Sequence, residues 1–432
     1  MPHHRPVTPT EQQPCCAEMS ALTSALTTDL SRRGVLRGGL LAAGATATVG
    51  SAVLTASPAA AASASSVLVV LSLRGAMDGL SVVVPHGDPV YYRARPRIAV
   101  PSSQLLAKDG FFGLHPGMKP LLGLWRSEEL AFVHAAGLPA PNRSHFAAME
   151  ELEDAAPGSS LREGWLNRLV GRSSDVSSSD GVAFGPGAAP TSLAGRAPTL
   201  AAQALDDVSI AGPTWDASRA RQRERGLRTM WKGEKGVLGR AMDETFTAVE
   251  ELAPARRQRS RASAYPDGDL GAALADAARL IRADLGTEVI TVDQGEWDMH
   301  TRLGTLEWGR MIRNVDELAR AVAAFFGDLG SQRSKVTLVA LSEFGRRVEE
   351  NEDLGLDHGY GNVMMVAGAG VRGGRYLGRW PGLSLGADSD LLVTTDYRQV
   401  LGEVVQKRFS GTSVSEVFPG LRYDPVGVLK AA

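Results

Sequence analysis

The sequence is nearly without cysteine. Cys15 and Cys16 are the only two in 432 residues, and they sit side by side near the N-terminus. If that region is removed, the remaining chain has no thiol. It then has no disulfide, no thiolate metal ligand and no cysteine nucleophile. The pair does not read as a lipid-attachment site, because the apolar segment follows it instead of preceding it. An excess of one charge is also missing: 46 Lys and Arg face 48 Asp and Glu, a net charge of −2. A nucleic-acid partner therefore gets no electrostatic support. No pattern recurs at a fixed spacing, which excludes a solenoid or propeller. No glycine-rich dinucleotide fingerprint follows the first strand, which disfavours a nicotinamide or flavin redox enzyme. Histidine is scarce at 8 residues, two of them at His3 and His4.

What is present begins with an export signal. Ser31-Arg32-Arg33-Gly34 precedes an Ala- and Gly-rich apolar run from Gly38 to Leu54, then the small-residue stretch Ser57-Pro58-Ala59-Ala60. This is the three-part layout of a twin-arginine signal. The run is short and weakly apolar for a hydrocarbon core of ~30 Å, so a cleaved signal is favoured over an anchor. Residues 1–64 are read as leader and signal, and 65–432 as the folded domain. The expected localisation is the periplasm, cell envelope or exterior, with the twin-arginine translocase as the partner during export. No later stretch could span a membrane stably.

Past the signal, buried strands alternate with helices. Val67 to Leu73 is a continuous apolar run, as are Val289 to Val292, Val336 to Leu341 and Val363 to Ala367. Such runs are central strands covered on both faces. Leu130 to Val133 is another. Alternation with helices near 306–329 and 396–409 predicts a mostly parallel sheet with helices on both sides. Residues from about 157 to 270 are less regular and rich in Arg and Glu, and are read as a lid or cap insertion.

Chemistry-bearing residues gather beside these strands. Asp78 follows the first; Asp293, Glu296, Asp298 and His300 follow the strand at 289; Glu343 follows the strand at 336; Asp357 and His358 precede the strand at 363. In an open α/β sheet, such ends share one rim. Crowded carboxylates repel one another, and a divalent cation removes that penalty. Oxygen and imidazole donors suit Zn, Mn, Mg, Ca or Fe. Arg143-Ser144-His145 stands after a strand and at a helix start. A serine there is most often an N-cap, but the position also suits a nucleophile or an anion.

Leu73-Arg74-Gly75-Ala76-Met77-Asp78, Asn142-Arg143-Ser144-His145-Phe146, Gly295-Glu296-Trp297-Asp298-Met299-His300, Ser342-Glu343-Phe344-Gly345-Arg346 and Asp357-His358-Gly359 resemble the motifs of the bacterial family called domain of unknown function 1501. That family resembles the alkaline phosphatase and sulfatase superfamily. The resemblance implies a three-layer α/β sandwich. It also implies metal ligands at Asp78, Asp298, His300, Glu343 and His358, with Asp293, Glu296 and Asp357 as weaker candidates. Ser144 would be the nucleophile, and His145 or Arg143 would stabilise the anion or the leaving group. The family's Gly-Gly-Trp-Asp-Thr-His is altered at Glu296 and Met299, and against the superfamily the Asp-x-x-x-His spacing is shortened to Asp298-x-His300 and Ser342-Glu343 replaces an Asp-His pair.

The function implied is a secreted metal-dependent hydrolase of phosphate or sulfate esters, acting on a small anionic ester or polymer. The alternative is a catalytically silent envelope or extracellular binding protein of the same fold. A common point shared by Asp78, Asp298, His300 and His358 would favour the enzyme. Separate ion pairs at Asp78 and His358 would favour the binding protein.

Overall fold

The computed structural model describes residues 46–49, 52–55, 63–160, 162–173, 176–210, 216–234 and 236–430. The twin-arginine motif and the expected cleavage region lie outside these. The main sheet contains strands β1 (Val67–Leu73), β2 (Leu130–Gly137), β3 (Gly181–Phe184), β4 (Leu200–Ala202), β5 (Val289–Gln294), β6 (Val336–Leu341), β7 (Asn362–Gly368), β8 (Arg375–Leu377) and β9 (Thr395–Asp396). Their order is β4-β3-β5-β1-β6-β7-β2-β8, with β9 also paired to β2. The backbone segments Thr46–Val49 and Ala52–Thr55 form a hairpin paired to the β4 edge.

The continuous apolar runs become central strands for the reason their pattern suggests. Val67, Val69 and Leu71 point into one core, with Ile290, Val292, Leu338 and Ala340. Leu68 and Val70 point into the other, with Val289, Val339 and Leu341. Alternate residues thus feed opposite faces, and both faces are dry. Helices α1 (His145–Asp154), α2 (Trp165–Val170) and α7 (Tyr397–Arg408) cover the second face. Helices α4 (Val237–Glu251), α5 (Asp269–Ala283) and α6 (Arg310–Asp328) cover the first. The molecule is a three-layer α/β sandwich.

Helix α6 shows how local sequence selects this packing. Met311, Val315, Leu318, Val322 and Phe325 are buried and recur at three- and four-residue spacing, which makes one apolar stripe. The charged helix α3 (Ala217–Trp231) and α4 lie within the 157–270 region. In the same region β3 and β4 pair in parallel with each other, and β3 with β5. That stretch therefore contributes strands to the sheet as well as helices to its surface.

Strand direction decides where the site falls. β3, β5, β1 and β6 are mutually parallel, but β7 runs antiparallel to both β6 and β2. Residues 342–361 contain no helix to carry the chain back across the sheet, so β7 must turn round where β6 ends. The start of β7 consequently lies on the rim that holds the ends of β1, β2, β5 and β6. A parallel β7 would have placed Asp357 and His358 on the opposite rim.

Candidate metal centre

Three loops and one helix start meet at this rim. Gly75, in the loop after β1, has φ +107°, and a Cβ there would lie 2.6 Å from the Asp298 nitrogen. The side-chain-free residue lets the β1 and β5 loops touch backbone to backbone. The loop after β6 folds on itself: Gly345 and Tyr360 are joined by an N–H···O bond of 2.8 Å, and Arg346 forms an isolated antiparallel bridge with His358. Leu356 N–H donates to the Met299 carbonyl at 3.0 Å. Asn351 Nδ2 donates to the His300 carbonyl at 2.8 Å. Sequence-distant segments are fixed to one another before any side chain is considered.

Within this frame the imidazoles of His145, His300 and His358 converge with the Asp298 carboxylate. The Nε2 atoms of His300 and His358 are 2.8 Å apart, and those of His145 and His358 are 3.0 Å apart. Asp298 Oδ1 lies 3.0 Å from His300 Nε2 and 3.7 Å from the Nε2 atoms of His145 and His358. His145, Asp298 and His358 form a group able to hold a metal ion.

The opposite ring nitrogens carry the protons. His145 Nδ1 donates to Glu343 Oε1 at 2.7 Å, His300 Nδ1 to Asp357 Oδ1 at 3.1 Å, and His358 Nδ1 to the Arg143 carbonyl at 2.9 Å. Each acceptor is a carboxylate or a carbonyl, so each Nδ1 is protonated and each Nε2 presents a lone pair. Three lone pairs facing one another at about hydrogen-bond distance repel unless a cation sits among them. Tetrahedral zinc with ~2.0–2.1 Å bonds to imidazole holds its nitrogens only a little over 3 Å apart. Oxygen acceptors on the remote nitrogens are the outer-shell arrangement of metal-bound histidine. The residues present fit a single cation.

Without an ion, protons on the Nε2 atoms must take its place. Burial disfavours a charged Asp298, but hydrogen bonds from His145, His300, His358 and Arg346 hold its carboxyl far below the ordinary range. Burial also opposes charge on His145, and hydrogen bonds to Asp298 and Glu343 outweigh it, raising the ring to about 9 without a bound ion. Glu343 is lowered despite its burial, chiefly by its bond to His145.

Other expected site residues fall elsewhere. Asp78 is 2% exposed, and both its oxygens are gripped by Arg95, at 2.5 and 3.0 Å. It stands outside the imidazole group, because a buried guanidinium already neutralises it. Glu343 accepts from Gly75 N–H and His145 Nδ1–H through one oxygen and is bonded by Ser342 Oγ through the other. Both its oxygens are thus engaged away from the Nε2 group, and Asp357 Oδ1 likewise bonds His300 Nδ1. Asp293 is paired with Arg74 at 2.6 Å. Glu296 is exposed, 4.0 Å from Arg310.

The Arg143–Ser144–His145 triplet is divided among three tasks. The Arg143 side chain is paired with Asp390 and its carbonyl receives His358. The His145 ring stands with Asp298 and His358 in the group that could hold a metal ion. Ser144 is the N-cap residue of α1, yet its side chain makes no cap hydrogen bond. Asn142 Oδ1 accepts from Ser144 N–H instead, at 3.1 Å. The half-buried hydroxyl is not spent on the helix. The place of His145 at the start of α1, in the segment that follows β2 on the same rim, and the scarcity of histidine are the signals that could have put it in this group. Arg346, only three residues after Glu343, bonds Asp298 instead, at 2.7 Å. Nothing in the local sequence points to that partner.

Glu296 has φ +65°, a left-handed conformation costly to a side chain and free to glycine. Its position is the one where the resembled motif carries glycine. Glu296→Gly should leave Asp298 in place and raise stability by up to ~1 kcal/mol in urea unfolding. A loss of stability would show that the glutamate makes a compensating contact.

The fold is similar to three solved structures at low identity. The C-terminal periplasmic domain of EcEptC from Escherichia coli, in complex with Zn, matches at 10% identity over 75% of this chain and 77% of that one, with a TM-score of 0.31. The lipoteichoic acid synthase LtaP from Listeria monocytogenes matches at 9% over 73% and 69%, TM-score 0.31. A structure described as Ps i-CgsB matches at 10% over 73% and 68%, TM-score 0.28. No curated protein matches the chain significantly. A family model does match, over residues 110–412, a span that holds every residue of the converging group. The chain therefore belongs to the family described as protein of unknown function DUF1501.

Proposed function

We propose that this protein is a metal-dependent hydrolase of phosphate or sulfate esters, exported by the twin-arginine route. The observation that carries the reading is the convergence of three imidazole Nε2 atoms on Asp298, with every Nδ1 committed to an oxygen acceptor. The imidazole-rich donor set suits Zn, Mn or Fe better than Mg or Ca, which prefer oxygen. His145, Asp298, His300 and His358 would hold the ion, while Glu343, Asp357 and the Arg143 carbonyl would orient them. Such an ion supplies Lewis-acid polarisation of an ester oxygen and eases deprotonation of a nearby hydroxyl.

Ser144 is the nucleophile in this reading. Its hydroxyl is uncommitted to the helix and immediately precedes a ligand. Attack of Oγ on phosphorus or sulfur forms the O–P or O–S bond as the alcohol leaves; water then hydrolyses the seryl ester. The free N–H groups at the start of α1 favour the anionic group being transferred. The wild-type protein should contain metal and cleave members of a phosphate and sulfate ester panel. Ser144→Ala should keep its metal and lose several orders of magnitude in kcat. Retained activity in that variant would remove the serine from the mechanism.

One observation favours the second reading, a silent binding protein: Asp78, expected as a ligand, is locked to Arg95. Full metal content with no turnover on any ester of the panel would select that reading.

A further inference from the structure

Arg346 is almost wholly buried, at 2% exposure, and its guanidinium is surrounded by oxygen. Nε donates to the Ala76 carbonyl at 2.7 Å. Nη1 donates to the Leu356 carbonyl at 3.0 Å. Nη2 faces the Gly75 carbonyl at 2.6 Å, the Trp297 carbonyl at 3.2 Å and Asp298 Oδ1 at 2.7 Å. Nη1 also lies 3.4 Å from His300 Nε2. Four carbonyls and a carboxylate pointing inward are the coordination shell of a hard cation. Here the chain fills it with its own.

We propose that Arg346 is a built-in cation, and that the rim takes one exchangeable metal ion beside it and no second. This deepens the function proposed above and rests on it. Two ions would need donors spread around centres ~3.5–4 Å apart. Asp298 Oδ1 lies within 3.7 Å of all three imidazole Nε2 atoms, so the donors gather about one carboxylate oxygen, as in one coordination shell. Apart from the exposed Glu296, the remaining candidate carboxylates are committed: Glu343 to His145, Gly75 and Ser342, Asp78 to Arg95, Asp293 to Arg74, and Asp357 to His300 and Asn351.

Charge gives the same count. Asp298, Glu343 and Asp357 bring three negative charges, and Arg346 returns one. A single divalent ion neutralises the remainder, whereas a second would leave an excess of positive charge. Arginine suits this post because it stays protonated in any surroundings and its planar fork meets several oxygens at once. It also fixes Asp298 from the side away from solvent, so it is a positioning residue that does not itself meet substrate.

The test uses the full chain, stripped of metal by a chelator and titrated with Zn²⁺ by calorimetry, with metal analysis after dialysis. One Zn²⁺ per chain is expected. Two per chain would overturn the built-in cation and leave the hydrolase reading standing; none would overturn both. Arg346→Ala opens the oxygen cage. This variant should bind Zn²⁺ ~10–100-fold more weakly, as when an outer-shell partner is lost, and should melt at a lower temperature. Millimolar guanidinium or Ca²⁺ should restore both, and equal ionic strength of NaCl should not. Rescue is readable even in a poorly folded variant, since refolding is the signal. Failure of both cations to raise the melting temperature or the Zn²⁺ affinity would show that the cage does not select a cation.

Discussion

Asp298→Asn is expected to abolish metal binding and to cost about 3 kcal/mol of stability. The side chain is the meeting point of Arg346 and three histidines, and is 7% exposed. Its amide replacement keeps the volume and loses the charge, leaving the buried Arg346 without a counter-ion. Breaking such a pair from one side costs ~3–5 kcal/mol. The low end applies because four carbonyls still receive the guanidinium. Urea unfolding of the metal-free proteins isolates this cost, and Zn²⁺ calorimetry reports the lost ligand. Adding Arg346→Met should return part of the stability, because the orphaned charge is gone. Near-native stability in the single variant, or strictly additive losses in the double, would mean the pair carries no coupling.

Acid should weaken the fold well above the ordinary carboxylate range. His115 is 1% exposed, and its Nδ1 accepts from Gly117 N–H at 3.0 Å, so the ring is neutral. Burial pushes it down to about 4. His134 is 2% exposed and stacked on Phe112 with ring centres 3.8 Å apart, and its Nε2 has no hydrogen-bond partner. Burial pushes it down to about 3. An unfolded histidine titrates near 6.5, so between these values the unfolded chain binds more protons. Stability is then complete above pH 6.5 and falls as pH falls. At pH 5 each histidine contributes a loss of about 2 kcal/mol, roughly 4 together. Asp180 opposes them. Burial raises it to about 6, so the folded state gains about 1 kcal/mol as it takes up its proton by pH 5. A net loss of about 3 kcal/mol between pH 6.5 and 5 follows. His134→Phe should remove about half of the histidine contribution in urea-unfolding midpoints across that window. An unchanged pH slope would locate the acid sensitivity elsewhere.

How much of this was visible in the sequence differs from residue to residue. Apolar runs such as Val67 to Leu73 and Val336 to Leu341 predicted strands buried on both faces, and they are. Gly181 to Phe184 also formed a strand, while Leu200–Ala202, too short to show a pattern, was unpredicted. The rim was legible because acids and imidazoles followed or preceded those strands. The roles of individual acids were not. Asp78, Asp293 and Glu343 are alike in sequence context, and their fates depend on Arg95, Arg74 and His145, brought in from elsewhere in the chain.

The sequence alone determined the layered α/β architecture, because strand and helix periodicities are local and their burial follows from solvent exclusion. It also determined that cysteine plays no part past the first residues. Only the tertiary structure decided which donors meet. That choice depends on β7 reversing direction beside β6, on Gly75 admitting the Asp298 backbone, and on which arginine reaches each carboxylate first. These are long-range pairings of charge and space, and no window of the chain contains both partners.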